Sequence, residues 1–192
     1  TGFFFARGDI YEDAAHHNAV FVGKDKDGQP RYACLRGIGT DFKGEATGSD
    51  KRFSFSIPAE ESSQVLYLFE SAIDLLSFAA MAQEDRLPWR SQHLLSLAGV
   101  YQPKKNLTER HLPLALSQYL RDHREIQTIY LCLDNDLAGR SAADAIRQQL
   151  AGRYVVLDGF PCQGKDYNDW LCLRKGLPIT RTVSKPERSM AR

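Results

Sequence analysis

The run Ile129-Tyr130-Leu131-Cys132-Leu133 passes directly into Asp134-Asn135-Asp136-Leu137-Ala138-Gly139-Arg140, and this junction narrows the folds open to the chain. Five mostly apolar residues without a charge read as a short strand buried on both faces, as in a parallel sheet. Asp136 stands where a helix N-cap is expected, ahead of a helical pattern over 137–150 that opens with Ala138, Gly139, Ala142 and Ala143. Across Asp134-x-Asp136 the chain is still extended, so both carboxylates can point out of the carboxyl edge of the sheet, the edge where open α/β sheets bind ligands. Two neighbouring carboxylates repel, and a hard divalent cation relieves that repulsion. The alternative for the pair is one helix cap and one turn aspartate.

Two distant segments repeat the pattern. Val65-Leu66-Tyr67-Leu68-Phe69 is a second buried-strand run, closed by Glu70 and followed by helical spacing over 71–83. The strand-like Tyr154-Val155-Val156-Leu157 precedes Gly164-Lys165-Asp166-Tyr167-Asn168-Asp169-Trp170. Three strand ends therefore carry acids. This combination resembles the Toprim domain shared by topoisomerases, primases and certain nucleases. The match rests on the lone Glu70, on Asp134-x-Asp136 followed by Ala138-Gly139-Arg140, and on Lys165-Asp166-x-Asn168-Asp169. It covers roughly residues 64–173, and its K-D-x-N-D element looks most like the phage-type primase form.

Between these elements, Ala72, Ile73, Leu75, Leu76, Ala79 and Ala80 form one apolar helical face. Asp74 falls among them, either as a helix-surface acid or as a group that orders Glu70. Residues 93–99 read as the second strand of the domain and end at Gly99, where a tight turn is expected. Residues 112–124 read as its second helix and 168–175 as its last. The β-α-β-α-β-α-β rhythm predicts an α/β fold: a Toprim-type parallel sheet with right-handed crossovers and helices on both faces.

Residues 1–60 differ. Segments 19–23 and 31–36 are strands joined by the polar, turn-rich Lys24-Asp25-Lys26-Asp27-Gly28-Gln29-Pro30, and 42–46 and 52–57 read as two further strands. The result is a small antiparallel β subdomain that packs on the next domain, since it is too short for a large core of its own. It resembles the uncharacterised domain that precedes Toprim domains in proteins of bacterial plasmids and conjugative elements. The residues carrying that likeness are Gly8-Asp9-Ile10-Tyr11, Asn18-Ala19-Val20-Phe21, Arg36-Gly37 and Gly48-Ser49-Asp50-Lys51. The expected organisation is thus 1–60 as the β subdomain, with Phe3-Phe4-Phe5 a remnant of a longer N-terminal region, 61–175 as the Toprim domain, and 176–192 as a basic, flexible tail. The final stretch carries Arg174, Lys175, Arg181, Lys185, Arg188 and Arg192 against Glu187. It suits a solvated tail or a phosphate-backbone contact.

At 192 residues and 43% hydrophobic content the chain can bury a full core, and a formal charge of +1 excludes binding to DNA by bulk electrostatics. No apolar run approaches the roughly 20 residues needed to cross a bilayer, so no membrane partner is expected. Cys34, Cys132, Cys162 and Cys172 lack C-x-x-C spacing and read as free thiols in a reducing cytoplasm rather than zinc ligands. His16-His17 and His93 offer no evident ligand set.

The Toprim resemblance implies a Mg²⁺ site, with Mn²⁺ as a substitute, built from Glu70, Asp134 and Asp136, with Asp166 and Asp169 as candidates for a second metal or its waters. Asp169 is otherwise an N-cap. Glu70 completes the metal shell or acts as general acid or base. Lys165 holds an incoming triphosphate or pairs with Asp134, and Arg140 reaches a phosphate or bridges to Asp136. Lys43, Lys51 and Arg52 resemble the template- and nucleotide-gripping basic residues of primases. The expected activity is Mg²⁺-dependent nucleotidyl or phosphoryl transfer by a primase-like module of a mobile-element protein. Its partners are single-stranded DNA, nucleoside triphosphates and other domains of a longer replication or conjugation protein. A Toprim nuclease and a non-catalytic nucleic-acid- or nucleotide-binding module are the alternatives; a topoisomerase needs a second large domain bearing a nucleophilic tyrosine.

Overall fold

Alternation of inward and outward residues builds the first sheet. Phe21 on one strand and Tyr32 and Cys34 on the next are buried on one face, and the intervening turn is tied by Asp25, whose carboxylate accepts from the backbone N–H groups of Asp27 and Gln29. In the computed structural model, which describes residues 8–99 and 111–179, this sheet has four antiparallel strands. They are β1 (Ile10–Glu12), β2 (Asn18–Lys24), β3 (Pro30–Gly37) and β4 (Lys43–Glu45), in that spatial order.

The segment expected to be a single strand over 52–57 divides. Asp50 accepts from the backbone N–H of Arg52 and caps a 3₁₀ turn, Lys51–Phe53. Only Ser56–Ile57 (β5) is extended, and it leaves the first sheet to pair antiparallel with a strand of the second. Phe55, fully buried, meets Phe21 edge to face at 5.8 Å. One apolar cluster therefore runs from Phe21, Tyr32 and Cys34 through Phe55 and Ile57 to Phe69 and Leu94 of the second sheet.

The second sheet follows the expected rhythm: β6 (Val65–Phe69), α1 (Ala72–Glu84), β7 (His93–Ser96), α2 (Leu114–Asp122), β8 (Thr128–Cys132), α3 (Leu137–Leu150), β9 (Val155–Asp158) and α4 (Tyr167–Arg174). Its order is β5-β7-β6-β8-β9, with every pair parallel except β5·β7. Strand residues alternate between two cores. Leu66, Leu68, Leu95, Ile129 and Leu131 pack on α2 and α3, whereas Phe69, Leu94 and Cys132 face α1, Tyr167 at the start of α4, and the first sheet. Helices thus cover both faces. From β6 the chain moves to β7, while from β8 it moves the other way to β9. Adjacent strands β6 and β8 therefore bound a topological switch point, where the connections part and leave a crevice.

All four cysteines are free, and among the described residues no helix is long and apolar enough to cross a membrane. Most of the expected basic tail lies outside the described residues. Arg174 and Lys175, just ahead of it at the end of α4, are ion-paired with α1's end: Arg174 with Asp85 at 2.7 Å, Lys175 with Glu84.

Candidate active site

Phe69 of β6 lies beside Cys132 of β8, so Glu70 and Asp134 emerge on neighbouring strands at the mouth of the crevice. The turn after β7 helps hold Glu70. Ala98 and Gly99 both adopt positive φ (60° and 112°), and Gly99 N–H donates to the Glu70 carbonyl at 3.0 Å. Asp136 is the N-cap of α3, accepting from Gly139 N–H at 2.9 Å. The small residue at 139 is a packing requirement: a Cβ there would stand 2.1 Å from the Asp134 carbonyl oxygen.

The loop after β9 is laced onto this turn. The Lys165 carbonyl accepts from Asn135 N–H at 2.7 Å, and Lys165 Nζ lies 2.7 Å from Asp134 Oδ2 and 3.3 Å from Asp136 Oδ2. Asp166 caps α4 by accepting from Asp169 N–H at 2.7 Å, while Asp169 Oδ2 accepts from Lys165 N–H at 3.1 Å. The cap is therefore Asp166, while Asp169 reaches back one residue further, to the N–H of Lys165.

Asp74 is buried, not a helix-surface acid. Its oxygens accept from Ser71 Oγ at 2.5 Å and from Asn168 N–H at 3.2 Å, tying α1 to the start of α4. Its place among apolar residues of the helical pattern was the signal.

Electrostatically the site is over-supplied with acid. Burial, then the charge on Asp134, pushes Glu70 up to about 7, only partly offset by Lys165. Burial likewise raises Asp74 to about 6 and pushes Asp166 above the usual carboxylate range. Asp136 is held low by the Gly139 N–H and by Lys165, and Lys165 is pushed up chiefly by its bond to Asp134. One ammonium group is thus paired with Asp134 and Asp136, amid carboxylates that raise one another: Glu70, Asp74 and Asp166 each feel the charge of Asp134. This donor set suits a hard divalent cation, although Lys165 now sits between Asp134 and Asp136 where such an ion would bind.

The basic residues expected to grip nucleic acid lie apart from this network. Lys51 pairs with Glu45 at 2.8 Å and Arg52 with Asp50 at 2.6 Å, and their 3₁₀ turn packs against α2. Lys43 is exposed on the edge strand β4. The Arg140 guanidinium pairs with neither the Asp136 carboxylate nor the other acids of the cluster, although its backbone N–H donates to the Asp136 carbonyl at 3.0 Å. It donates to the Asn135 carboxamide and lies over the Phe160 ring at 4.9 Å.

Sequence reasoning saw no ligand set around His93. It is buried at the start of β7, on the opposite edge of the sheet, beside His123 and Glu125. Burial holds its imidazole down at about 4.

A switch-point crevice lined by a lone glutamate, a D-x-D turn and a third acidic loop is the pattern of a Toprim domain. Residues 67–171, more than half of the 192, match the Toprim-like family, and the chain belongs to it. Residues 4–62 match a family described as a protein of unknown function, DUF3991.

Among curated proteins, a 65 kDa protein of Zymomonas mobilis subsp. mobilis is 27% identical over 174 residues, covering 85% of this chain and 28% of that protein. The chain thus spans under a third of that relative's length. Among solved structures, the primase fragment of the bacteriophage T7 primase-helicase protein has a TM-score of 0.56 at 18% identity, covering 87% of this chain and 62% of that one. A DnaG primase catalytic domain bound to single-stranded DNA has a TM-score of 0.52 at 14% identity, covering 90% and 54%. At these identities the likeness is one of fold.

Proposed function

We propose that this chain is the catalytic module of a primase-like enzyme, performing Mg²⁺-dependent nucleotidyl transfer on single-stranded DNA within a longer DNA-processing protein of a bacterial mobile element. The observation that carries the reading is the surplus of carboxylates at the β6/β8 crevice, with Glu70 held near neutrality and a single lysine among them. The primase neighbours support it by fold, and the DUF3991 match and the greater length of the Zymomonas protein support a module inside a larger chain.

Asp134 and Asp136 would hold the divalent ion, with Glu70 completing its shell. Asp166 and Asp169 each commit one oxygen to a backbone N–H and keep the other for a metal-bound water. When bound, the ion neutralises phosphate oxygens and lowers the pKa of a coordinated oxygen nucleophile. Should Glu70 stay out of the ion's shell, it is instead the group placed to take up a proton, since burial and its acidic neighbours hold it up at about 7. Lys165, now paired with Asp134 and Asp136, would be free to hold a triphosphate once those carboxylates were engaged by the ion. Arg140 is exposed at the first turn of α3 and can leave Asn135 for a phosphate. Lys43, Lys51 and Arg52 would track the nucleic-acid backbone, the latter two exchanging Glu45 and Asp50 for phosphates.

The experiment is one incubation of the longest natural chain with Mg²⁺ or Mn²⁺, single-stranded DNA and labelled nucleotides. Primer synthesis supports the proposal. Cleavage replaces it with a Toprim nuclease, and metal-dependent binding without turnover leaves a binding module.

A further inference from the structure

The amino edge of the Toprim sheet holds a second cluster of ligand-type side chains, remote in the fold from the acidic crevice at the carboxyl edge. His93 opens β7, His123 follows the last residue of α2, and Glu125 lies in the turn into β8. One ligand atom from each falls within 4.8 Å of the other two, the single such group of three among the described residues. His123 Nδ1 is 3.2 Å, and His93 Nε2 3.5 Å, from Glu125 Oε1. In a tetrahedral site with bonds of about 2.0–2.1 Å, ligand atoms stand about 3.3 Å apart. The first contact is an imidazole–carboxylate hydrogen bond and the second an ion-pair distance, and both fall near that spacing.

A second observation points to a missing partner. His93 is 2% exposed, and its Nε2, aimed at this group, is buried without a hydrogen-bond partner among the described residues. A buried ring nitrogen left so is unusual. The other nitrogen is engaged: Nδ1 lies 3.0 Å from Tyr119 Oη, with the Ala59 N–H farther off at 3.4 Å. The Ala59 N–H donates to Nδ1 as the site stands; a cation at Nε2 would need the ring proton on Nδ1, donated to Tyr119 Oη, so that the Nε2 lone pair faces the cluster. A metal-bound histidine is ordinarily oriented by such a bond on its other nitrogen.

We propose that His93 Nε2, His123 Nδ1 and the Glu125 carboxylate form a binding site for a transition-metal divalent cation of the Zn²⁺ class, leaving a fourth position to water. Two imidazoles and one carboxylate select such an ion over Mg²⁺, which prefers an all-oxygen octahedral shell. The ion pins the end of α2 and the entry to β8 onto the start of β7, so its role is to clamp the sheet rather than to react. The site is open to solvent: the side chains of His123 and Glu125 are 24% and 37% exposed.

The test is titration of the full-length, chelator-stripped protein with Co²⁺ and Zn²⁺ in millimolar Mg²⁺. One equivalent should bind, Co²⁺ should give the visible bands of a four-coordinate site without thiolate charge transfer, and the melting temperature should rise. A His123→Ala, Glu125→Gln variant should lose that equivalent, and Asp134→Asn, Asp136→Asn should keep it. Tyr119→Phe, which preserves shape and removes only the orienting hydroxyl, should weaken affinity about 10- to 100-fold. No stoichiometric uptake by the wild type, thiolate bands, or uptake untouched by the His123 and Glu125 changes would each overturn the site. So would uptake that disappears with the two aspartates.

Discussion

At the scale of single residues, the acidic crevice stores repulsion that folding must overcome. Glu70 is raised from 4.5 to about 7 and Asp74 from 3.8 to about 6, burial being the first cause of each. Between about pH 4 and 7 the folded chain therefore keeps protons that the unfolded chain has released, so these two groups make stability fall as pH rises through that window. A Glu70→Gln, Asp74→Asn variant should gain on the order of 2 kcal/mol over the wild type at pH 8 and little at pH 4, read from urea midpoints without metal. A gain that is the same at both pH values would remove the repulsion argument. Lys165 offers the complementary check. It bridges Asp134 and Asp136, so Lys165→Met should tighten Mg²⁺ binding while weakening nucleotide binding, both measurable by calorimetry. Glu70→Gln alone should abolish turnover and leave single-strand affinity nearly unchanged.

At the scale of elements, α3 depends on how closely it can approach the D-x-D turn. Gly139→Ala places a methyl 2.1 Å from the Asp134 carbonyl, so the helix must retreat, at a cost of about 1–3 kcal/mol. The thermal shift on adding Mg²⁺ should shrink with it; a variant that keeps wild-type stability and shift would show that the turn adapts freely. The elements themselves were largely legible. Asp136 heads a helix that runs to Leu150, as its capping position and small-residue spacing indicate, and the apolar runs before Glu70 and Asp134 mark β6 and β8 within a residue or so. What was not legible depended on tertiary partners. Nothing local tells that Asp74 will be met by Asn168, ninety-four positions away, or that the short extended piece at Ser56–Ile57 will choose Leu94 and Leu95 over the neighbouring hairpin. His93 likewise gains meaning only once α2 delivers His123 beside it.

At the scale of the whole molecule, the two sheets divide labour in the proposed reaction. If the first holds nucleic acid through Lys43, Lys51 and Arg52, affinity should fall with salt. Lys51→Ala with Arg52→Ala should then flatten that dependence by about one unit of log–log slope for each phosphate no longer neutralised. Their present pairs with Glu45 and Asp50 are half-exposed, and such pairs are weak enough, about 0–1 kcal/mol, to be exchanged for phosphate. An unchanged slope would move the nucleic-acid path elsewhere on the surface. The pairing of β5 with β7 has a practical side as well. Any fragment begun after residue 60 to isolate the catalytic half would strip the outermost strand from its sheet. The backbone groups of Leu94 and Leu95 would then be left open to another molecule, and Phe55 would be missing from the core. Uncovered sheet edges recruit strands from their neighbours. Such a fragment should self-associate, whereas the whole chain, which keeps both β5 and the first sheet over Phe55, should remain a monomer in light scattering.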